Sequence, residues 1–189
     1  MAAFEVATSA DGSTWVGHDE VASGGVADVT FGSTSTADEY IKQTYDHLLL
    51  KYSVRREASG TDDAYHLTLN NDTGSNYSFT TLRVISDAPN SWRASGQTNF
   101  YAANWTGAGS AADTFGVGEI WIPHYSNTAN FKQFLVSNAA ENASASGYRL
   151  SLNAGLWSST AAVTSITMLD DSGDIAESST FTLYGVTGA

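Results

Sequence analysis

The run Asp72-Thr73-Gly74-Ser75 is the part of the chain whose residue types most directly suggest catalysis. Its four residues match the signature of aspartic proteases, in which two such aspartates share one proton. The run occurs once, and Asn70 and Asn71 precede it where a hydrophobic strand end would be required. Because one copy supplies only one carboxylate, we interpret the run as a hairpin loop in which Gly74 is left-handed and Asp72 bonds to local amides.

Two polar loops offer oxygen ligands of the kind that Ca²⁺ binds. The first contains Asn70, Asp72, Ser75 and Asn76, but a Ca²⁺ site usually takes about six to eight oxygens, several of them from carboxylates. The second is Asp170-Asp171-Ser172-Gly173-Asp174, with three carboxylates in five residues. Both sequences are typical of a hydrogen-bonded or solvated turn, so we predict neither a metal nor another cofactor.

Other combinations of reactive residue types are weaker evidence for catalysis. His47 and His66 fall on two predicted strands that would be neighbours, and Asp46 and Glu119 would suit a glycosidase only if the fold paired them. No Gly-x-Ser-x-Gly elbow occurs. We therefore predict that the chain is not an enzyme. The chain has four histidines, which are His18, His47, His66 and His124. None of them shows the short spacing that is typical of a zinc site.

Length and charge narrow the class of protein. The 189 residues suit one domain or one domain with an arm. A formal net charge of −12 argues against nucleic acid or an anionic membrane surface as partner. The absence of cysteine excludes disulfides and thiolate metal sites. Residues 1–5 show no secretion signal, and no segment approaches the ~20 apolar residues of a membrane span.

Apolar alternation predicts a series of short strands. Leu48, Leu50, Tyr52 and Val54 share one face of a strand over residues 45–56. Eight or nine such strands, separated by turns, predict an all-β antiparallel sandwich. The remaining strands are expected at 64–70, 77–85, 115–122, 131–136, 148–153, 155–157, 162–169 and 181–186.

The first 39 residues allow two interpretations. They hold seven carboxylates and no Lys or Arg, and their short apolar runs would form either an arm that packs on another subunit or the outer strands of the sandwich. Thr36-Ala37-Asp38-Glu39 would cap one helical turn. We place the sandwich domain at residues 40–189.

Residues 86–113 look like a loop, yet they carry four aromatic side chains. These rings either pin the loop to the core or form a contact surface. The low content of charged residues, 15%, with 5 Trp and 9 Tyr, favours a surface that is partly covered by a partner. Our candidates for an interaction surface are Trp15, Trp92, Phe100, Tyr101 and Trp105.

Six short motifs are distinctive in combination, and they lie at residues 45–48, 71–77, 120–125, 155–157, 164–167 and 179–186. In this order they resemble a widespread group of tailed-bacteriophage virion proteins. That group has an N-D-T-G-x-N-Y loop between two strands, an I-x-I-x-x-Y strand, Gly-x-Trp, T-S-I-T and a closing S-x-F-x-L-Y-G-I. The present chain ends the last motif with Val186. Residues 1–39 lie outside the resemblance.

The resemblance implies a jelly-roll-like sandwich with a structural role in the virion. Such a module occurs as a head decoration or cement protein, or as part of a tail appendage. We therefore expect a homo-oligomer, with a trimer as first expectation, that contacts the major capsid protein or a tail protein. The alternative is a tail-fibre or tail-spike module in which Trp92, Tyr101 and Trp105 stack on host carbohydrate.

Overall fold

The computed structural model describes residues 4–8, 14–15, 25–32, 41–170 and 173–187, with the backbone alone for residues 4–8, 14–15 and 62. Within these ranges the chain forms β-strands and no helix. The strands are β1 (Phe4–Thr8), β2 (Thr14–Trp15), β3 (Asp28–Phe31), β4 (His47–Val54), β5 (Asp62–Leu69), β6 (Tyr77–Ile85), β7 (Ala88–Gln97), β8 (Phe100–Thr106), β9 (Gly116–Pro123), β10 (Lys132–Ala140), β11 (Arg149–Trp157), β12 (Ile166–Asp170) and β13 (Thr180–Val186).

The strands form two antiparallel sheets that pack as a sandwich. The larger sheet has the order β2-β1-β13-β4-β9-β10-β11-β6-β7, and the smaller has the order β3-β12-β5-β8. This confirms the predicted all-β antiparallel sandwich. The jelly-roll connectivity stays a prediction.

The core lies between the two sheets and follows the alternation of the sequence. Leu48, Leu50, Tyr52 and Val54 point inward from β4, and each is at most 5% exposed. On β6 the buried residues include Tyr77 and Phe79, while Leu82 and Val84 on the other parity face outward. Buried aromatic and branched side chains thus fill the space between the layers, where apolar area removed from water stabilises the fold.

The expected loop over residues 86–113 is instead largely a pair of strands, β7 and β8. Alternation could not reveal them, because every residue of β8 is buried and almost every residue of β7 is exposed. Strand β7 is the edge strand next to β6, which is where a strand tolerates Pro89. Strand β8 is the edge strand of the smaller sheet, and its apolar residues belong to the core.

Parts of the first 39 residues pair with the sandwich. Strand β1 pairs with β13, β2 pairs with β1, and β3 pairs with β12. Both sheets therefore include strands from this stretch. The helical turn expected at residues 36–39 lies outside the described residues.

Candidate interaction surface

Three of the five aromatic candidates for a contact surface lie inside the sandwich. Phe100 and Trp105 are fully buried, and Tyr101 is 7% exposed. The Trp105 ring stacks on Tyr65, with 4.4 Å between ring centroids, and Phe100 packs edge-on against Phe134 at 4.5 Å. This corrects the prediction that these rings form an exposed surface, since all three are buried against other side chains of the fold.

Trp92 is the candidate whose ring reaches solvent. It is 37% exposed on the edge strand β7, and it packs edge-on against Phe79 at 4.8 Å and Tyr101 at 5.3 Å. The Arg83 guanidinium lies 5.8 Å from its ring centroid, within reach of a cation–π contact. Trp15 lies in β2, and its side chain is outside the described part. The described residues therefore offer one partly exposed ring here and no aromatic platform.

Asp72 is occupied by hydrogen bonds inside its own loop and to a distant tryptophan. Its Oδ1 accepts the Gly74 N–H at 2.8 Å, and its Oδ2 accepts Asn76 Nδ2 at 2.8 Å and Trp157 Nε1 at 2.6 Å. Burial acts to raise the pKa of Asp72, but these three donors together outweigh burial and hold the pKa below its usual value. The carboxylate is therefore a fixed acceptor, as the loop interpretation predicts.

Asn70 holds the same loop against the approach to β12. Its Oδ1 accepts the backbone N–H of Thr164 at 2.7 Å and of Ser165 at 3.1 Å, and its Nδ2 donates to the Ala162 carbonyl at 2.7 Å. Asn70 and Asn71 are the left-handed residues, with φ of 54° and 53°, and not Gly74 as predicted. Asparagine tolerates this conformation because its side chain bonds to nearby backbone.

These contacts disfavour a cation at the loop. The oxygens of Asp72 and Asn70 already face N–H donors, which a bound Ca²⁺ would have to displace. Within the ranges that the structure describes, no group of three His, Cys, Asp or Glu side chains is placed to hold a metal.

The second acidic run is not a solvated turn throughout. The Asp170 side chain is fully buried, and its Oδ2 lies 2.9 Å from Nε of Arg56, which is 1% exposed. Arg56 also forms an ion pair with Asp63. This corrects the prediction for Asp170, because a buried carboxylate needs an opposite charge. Residues 171–172 lie outside the described ranges.

The remaining catalytic pairings are not assembled. Glu119 pairs with Lys51 across β9 and β4, and Asp46 precedes Lys51 by five residues, about 17 Å at the rise of a strand. His47 lies on β4 and His66 on β5, in different sheets. His47 instead accepts the backbone N–H of His124 at Nδ1, over 3.1 Å.

The outward side of the larger sheet carries an unexpected apolar surface. On six neighbouring strands, β7, β6, β11, β10, β9 and β4, cross-strand partners form three rows of six residues that we call the outer face. The first row is Pro89, Val84, Leu150, Ala139, Val117 and Ser53. The second is Ser91, Leu82, Leu152, Ser137, Glu119 and Lys51. The third is Arg93, Thr80, Ala154, Leu135, Trp121 and Leu49.

The described residues leave the outer face open to solvent, since every residue of the three rows is at least partly exposed. Leu82 and Leu150 expose 61% and 62% of their surface, and Leu135 and Leu152 each expose 48%. The large exposed side chains lie together around β6, β11 and β10, because Leu150 pairs with Val84 and Leu152 with Leu82. Contiguous apolar patches of this kind mark interaction sites.

A shallow depression of about 410 Å³ lies beside these leucines. Lys51, Val117, Glu119 and Leu150 border it, and Gly118 lies in its lining. Gly118 pairs with Tyr52 of β4, and its missing side chain leaves room for the Tyr52 hydroxyl on the core side of the sheet. The outer face therefore combines a ridge of leucines with an adjoining hollow.

A weak signal in the sequence indicated this surface. On β6, Leu82 and Val84 lie on the face opposite to the buried Tyr77 and Phe79. On β11, the exposed Leu150 and Leu152 alternate with the buried Ser151 and Asn153. Strand β6 is thus apolar on both faces, which departs from the usual pattern of one buried and one solvated face. The alternation on β11 would by itself place Leu150 and Leu152 inward. The register that unites them could not be read from the chain.

Comparison of the chain with protein-family models, with curated proteins and with solved structures gives no match. Among the described residues, no helix is long and apolar enough to cross a membrane.

Proposed function

We propose that the chain is a non-enzymatic structural protein of a tailed-phage particle and that it serves there as a capsid decoration protein. The observation that carries an assembly role is the outer face, where leucines on neighbouring strands are about half or more exposed. The virion as its location rests on the resemblance of the motifs between residues 45 and 186.

The positions of the motif residues support a structural role for them. Asp72 and Trp157 come from two different motifs and form a hydrogen bond. Ser158 directly follows Trp157, and its backbone N–H donates to the Asn76 carbonyl over 2.8 Å. The two bonds together tie the loop before β6 to the end of β11. These motif residues therefore maintain the fold, and such a role is consistent with a structural protein.

The mechanism would be burial of apolar surface between subunits and the shell. A contact of ~800 Å² per partner is enough for a specific interface. When such contacts repeat over a lattice, they stabilise a shell even if each one is weak. The major capsid protein would be the partner, and neither nucleic acid nor a membrane is needed.

A tail module that binds host carbohydrate is the alternative. It requires exposed rings on which sugars stack, and the burial of Tyr101 and Trp105 leaves Trp92 alone of the three. Saturable glycan binding that Trp92→Ala abolishes would favour this alternative over the decoration role.

The test is binding of the purified full chain to heads of the encoding phage, stripped of accessory proteins. We expect saturable binding in a fixed ratio to shell subunits. Attachment to host cells with no binding to heads would overturn the decoration role and place the chain on the tail. The full chain is used because β1 and β3 pair with β13 and β12, so removal of residues 1–39 would also remove sandwich strands.

A further inference from the structure

We propose that the outer face binds the same face of a second copy of this chain, so that two copies form a dimer with two-fold symmetry. The inference rests on the proposed role in assembly, and it adds the partner and the symmetry of the contact. Three observations favour this occupant: the charge of the face, its size and its shape.

The charge of the outer face differs from that of the whole chain. Its three rows contain three charged residues, Lys51, Glu119 and Arg93. Lys51 and Glu119 lie 3.5 Å apart as an ion pair, so the face has a formal charge of +1 on a chain with a charge of −12. Two copies of so acidic a chain repel each other over most approaches. In these rows the one carboxylate, Glu119, is already paired with Lys51.

The size of the outer face approaches what a stable dimer needs. A standard interface takes roughly 20–30 residues from each partner. The three rows of six residues come close to that range. A fourth row continues the same parity on four of the strands with Ser95, Ser78, Leu156 and Gln133, which brings the face within the range.

The face carries exposed leucines and a depression side by side, a combination that a second copy can match. The ridge formed by Leu150 and Leu152 adjoins the depression between Val117 and Lys51. A two-fold axis would place the ridge of each copy beside the depression of the other. Sheets pack face to face at about 10 Å, so leucine side chains of this length fill the space between them.

The symmetry of such a contact is closed. When a surface meets its own copy, the same patch is used on both sides and no further copy can join there. A contact through the outer face would therefore give a dimer, and the trimer expected from the resemblance would need a different surface.

The first experiment is sedimentation velocity of the full chain over a range of concentrations. We compare it with the double variant Leu150→Glu/Leu152→Glu and with the control Val26→Glu. The control places one glutamate at a residue that is 38% exposed and outside the rows. The wild type and Val26→Glu should dimerise. The double variant should raise the dimer dissociation constant at least about a hundredfold, because each lost apolar contact occurs twice at a two-fold interface.

Circular dichroism checks that the double variant is folded. A monomeric wild type, or a dimer that the double variant leaves intact, would overturn the inference. If the double variant unfolds, the cysteine variants of the next experiment decide between the two results.

The second experiment uses the absence of cysteine from the chain. Single variants Leu82→Cys, Ser137→Cys and Leu152→Cys place one thiol each in the middle row, and Thr73→Cys places one on the exposed loop as control. Oxidation should give a covalent dimer for at least one middle-row variant and none for Thr73→Cys. Failure of all three in a chain that dimerises would overturn the inference.

These outcomes separate the inference from the proposed function. A dimer through the outer face without binding to phage heads would leave the inference standing and overturn the decoration role. Binding to heads by a chain that stays monomeric, lost in the double variant, would mean that the shell occupies the face. That result would overturn the inference and support the decoration role.

Discussion

The indole Nε1 of Trp157 donates a hydrogen bond to Asp72 Oδ2 over 2.6 Å, although the two residues are 85 positions apart in the chain. The bond joins the loop that precedes β6 to the last residue of β11. Because β11 and β6 are neighbours, with Trp157 opposite Tyr77, the bond closes the end of this strand pair. Asp72 is thus a structural acceptor, and this role leads to the first prediction.

Asp72→Asn should lower the free energy of unfolding at pH 7 by about 1–3 kcal/mol, the usual cost of leaving a hydrogen-bonded group without its partner. Asp72 receives donors on both oxygens. The asparagine side chain has one oxygen, so its NH2 group would replace the second carboxylate oxygen and would face an N–H donor. Urea unfolding of the two chains measures the difference. Equal stability at pH 7 would contradict the structural role of the carboxylate.

The same difference should depend on pH. The folded pKa of Asp72 lies below its usual value, and the unfolded value is about 3.9. The carboxylate therefore contributes stability that is present above the unfolded pKa and is lost as the pH falls through the folded pKa. The gap between wild type and Asp72→Asn should shrink in acid. A gap that does not change with pH would mean that the charge of Asp72 has no part in it.

Arg56→Met should destabilise the chain by about 3–5 kcal/mol, because it leaves a buried carboxylate without its opposite charge. The Asp170 side chain is fully buried beside Nε of Arg56. Lys51→Met is the matched control, since the Lys51 and Glu119 side chains are about half exposed and such pairs contribute little. Chemical denaturation at neutral pH gives both values. A similar small effect for the two variants would contradict the importance of the buried pair.

The sequence predicted best where one face of a strand is buried and the other is not. Leu48, Leu50, Tyr52 and Val54 alternate on β4, so their inward side could be assigned in advance. Strand β8 has no such alternation, because every residue is buried. The pattern of residues 86–113 therefore predicts a loop, although the aromatic residues of β8 lie in a strand.

The remaining features could not be predicted because they depend on the pairing of strands that are distant in the sequence. The loop role of Asp72 followed from its neighbours, but the bond from Trp157 depends on the pairing of β11 with β6. The outer face likewise unites β6 with β9, β10 and β11, which are distant along the chain. Alternation shows which residues of one strand share a side, and it does not show which strands lie next to each other.

Alkaline conditions should destabilise the fold above about pH 10, the ordinary pKa of tyrosine. Burial raises the pKa of Tyr77 and Tyr125 to about 12, and it also raises the pKa of Tyr52 and Tyr65. A raised folded pKa gives stability that is complete below the unfolded pKa and is lost as the pH rises through the folded value.

Absorbance of the phenolate, followed together with circular dichroism, checks this prediction. In the native chain a part of the nine tyrosines should ionise only when the fold is lost. In concentrated guanidinium chloride all of them should ionise together near pH 10. A native titration that matches the denatured one would contradict the burial of these phenols.

Gly155→Ala should destabilise the chain by about 1–3 kcal/mol, the usual cost of adding atoms to a packed core. A Cβ at this residue would lie 2.2 Å from the Phe134 ring and 2.6 Å from the Phe100 ring, and both rings are buried. Ala154→Val is the control, because Ala154 is exposed on the outer face of the same strand. Thermal and urea unfolding of both variants should show the loss only for Gly155→Ala. Equal stability of Gly155→Ala and the wild type would show that the two rings can move apart at no cost, against the close packing between β10, β11 and β8.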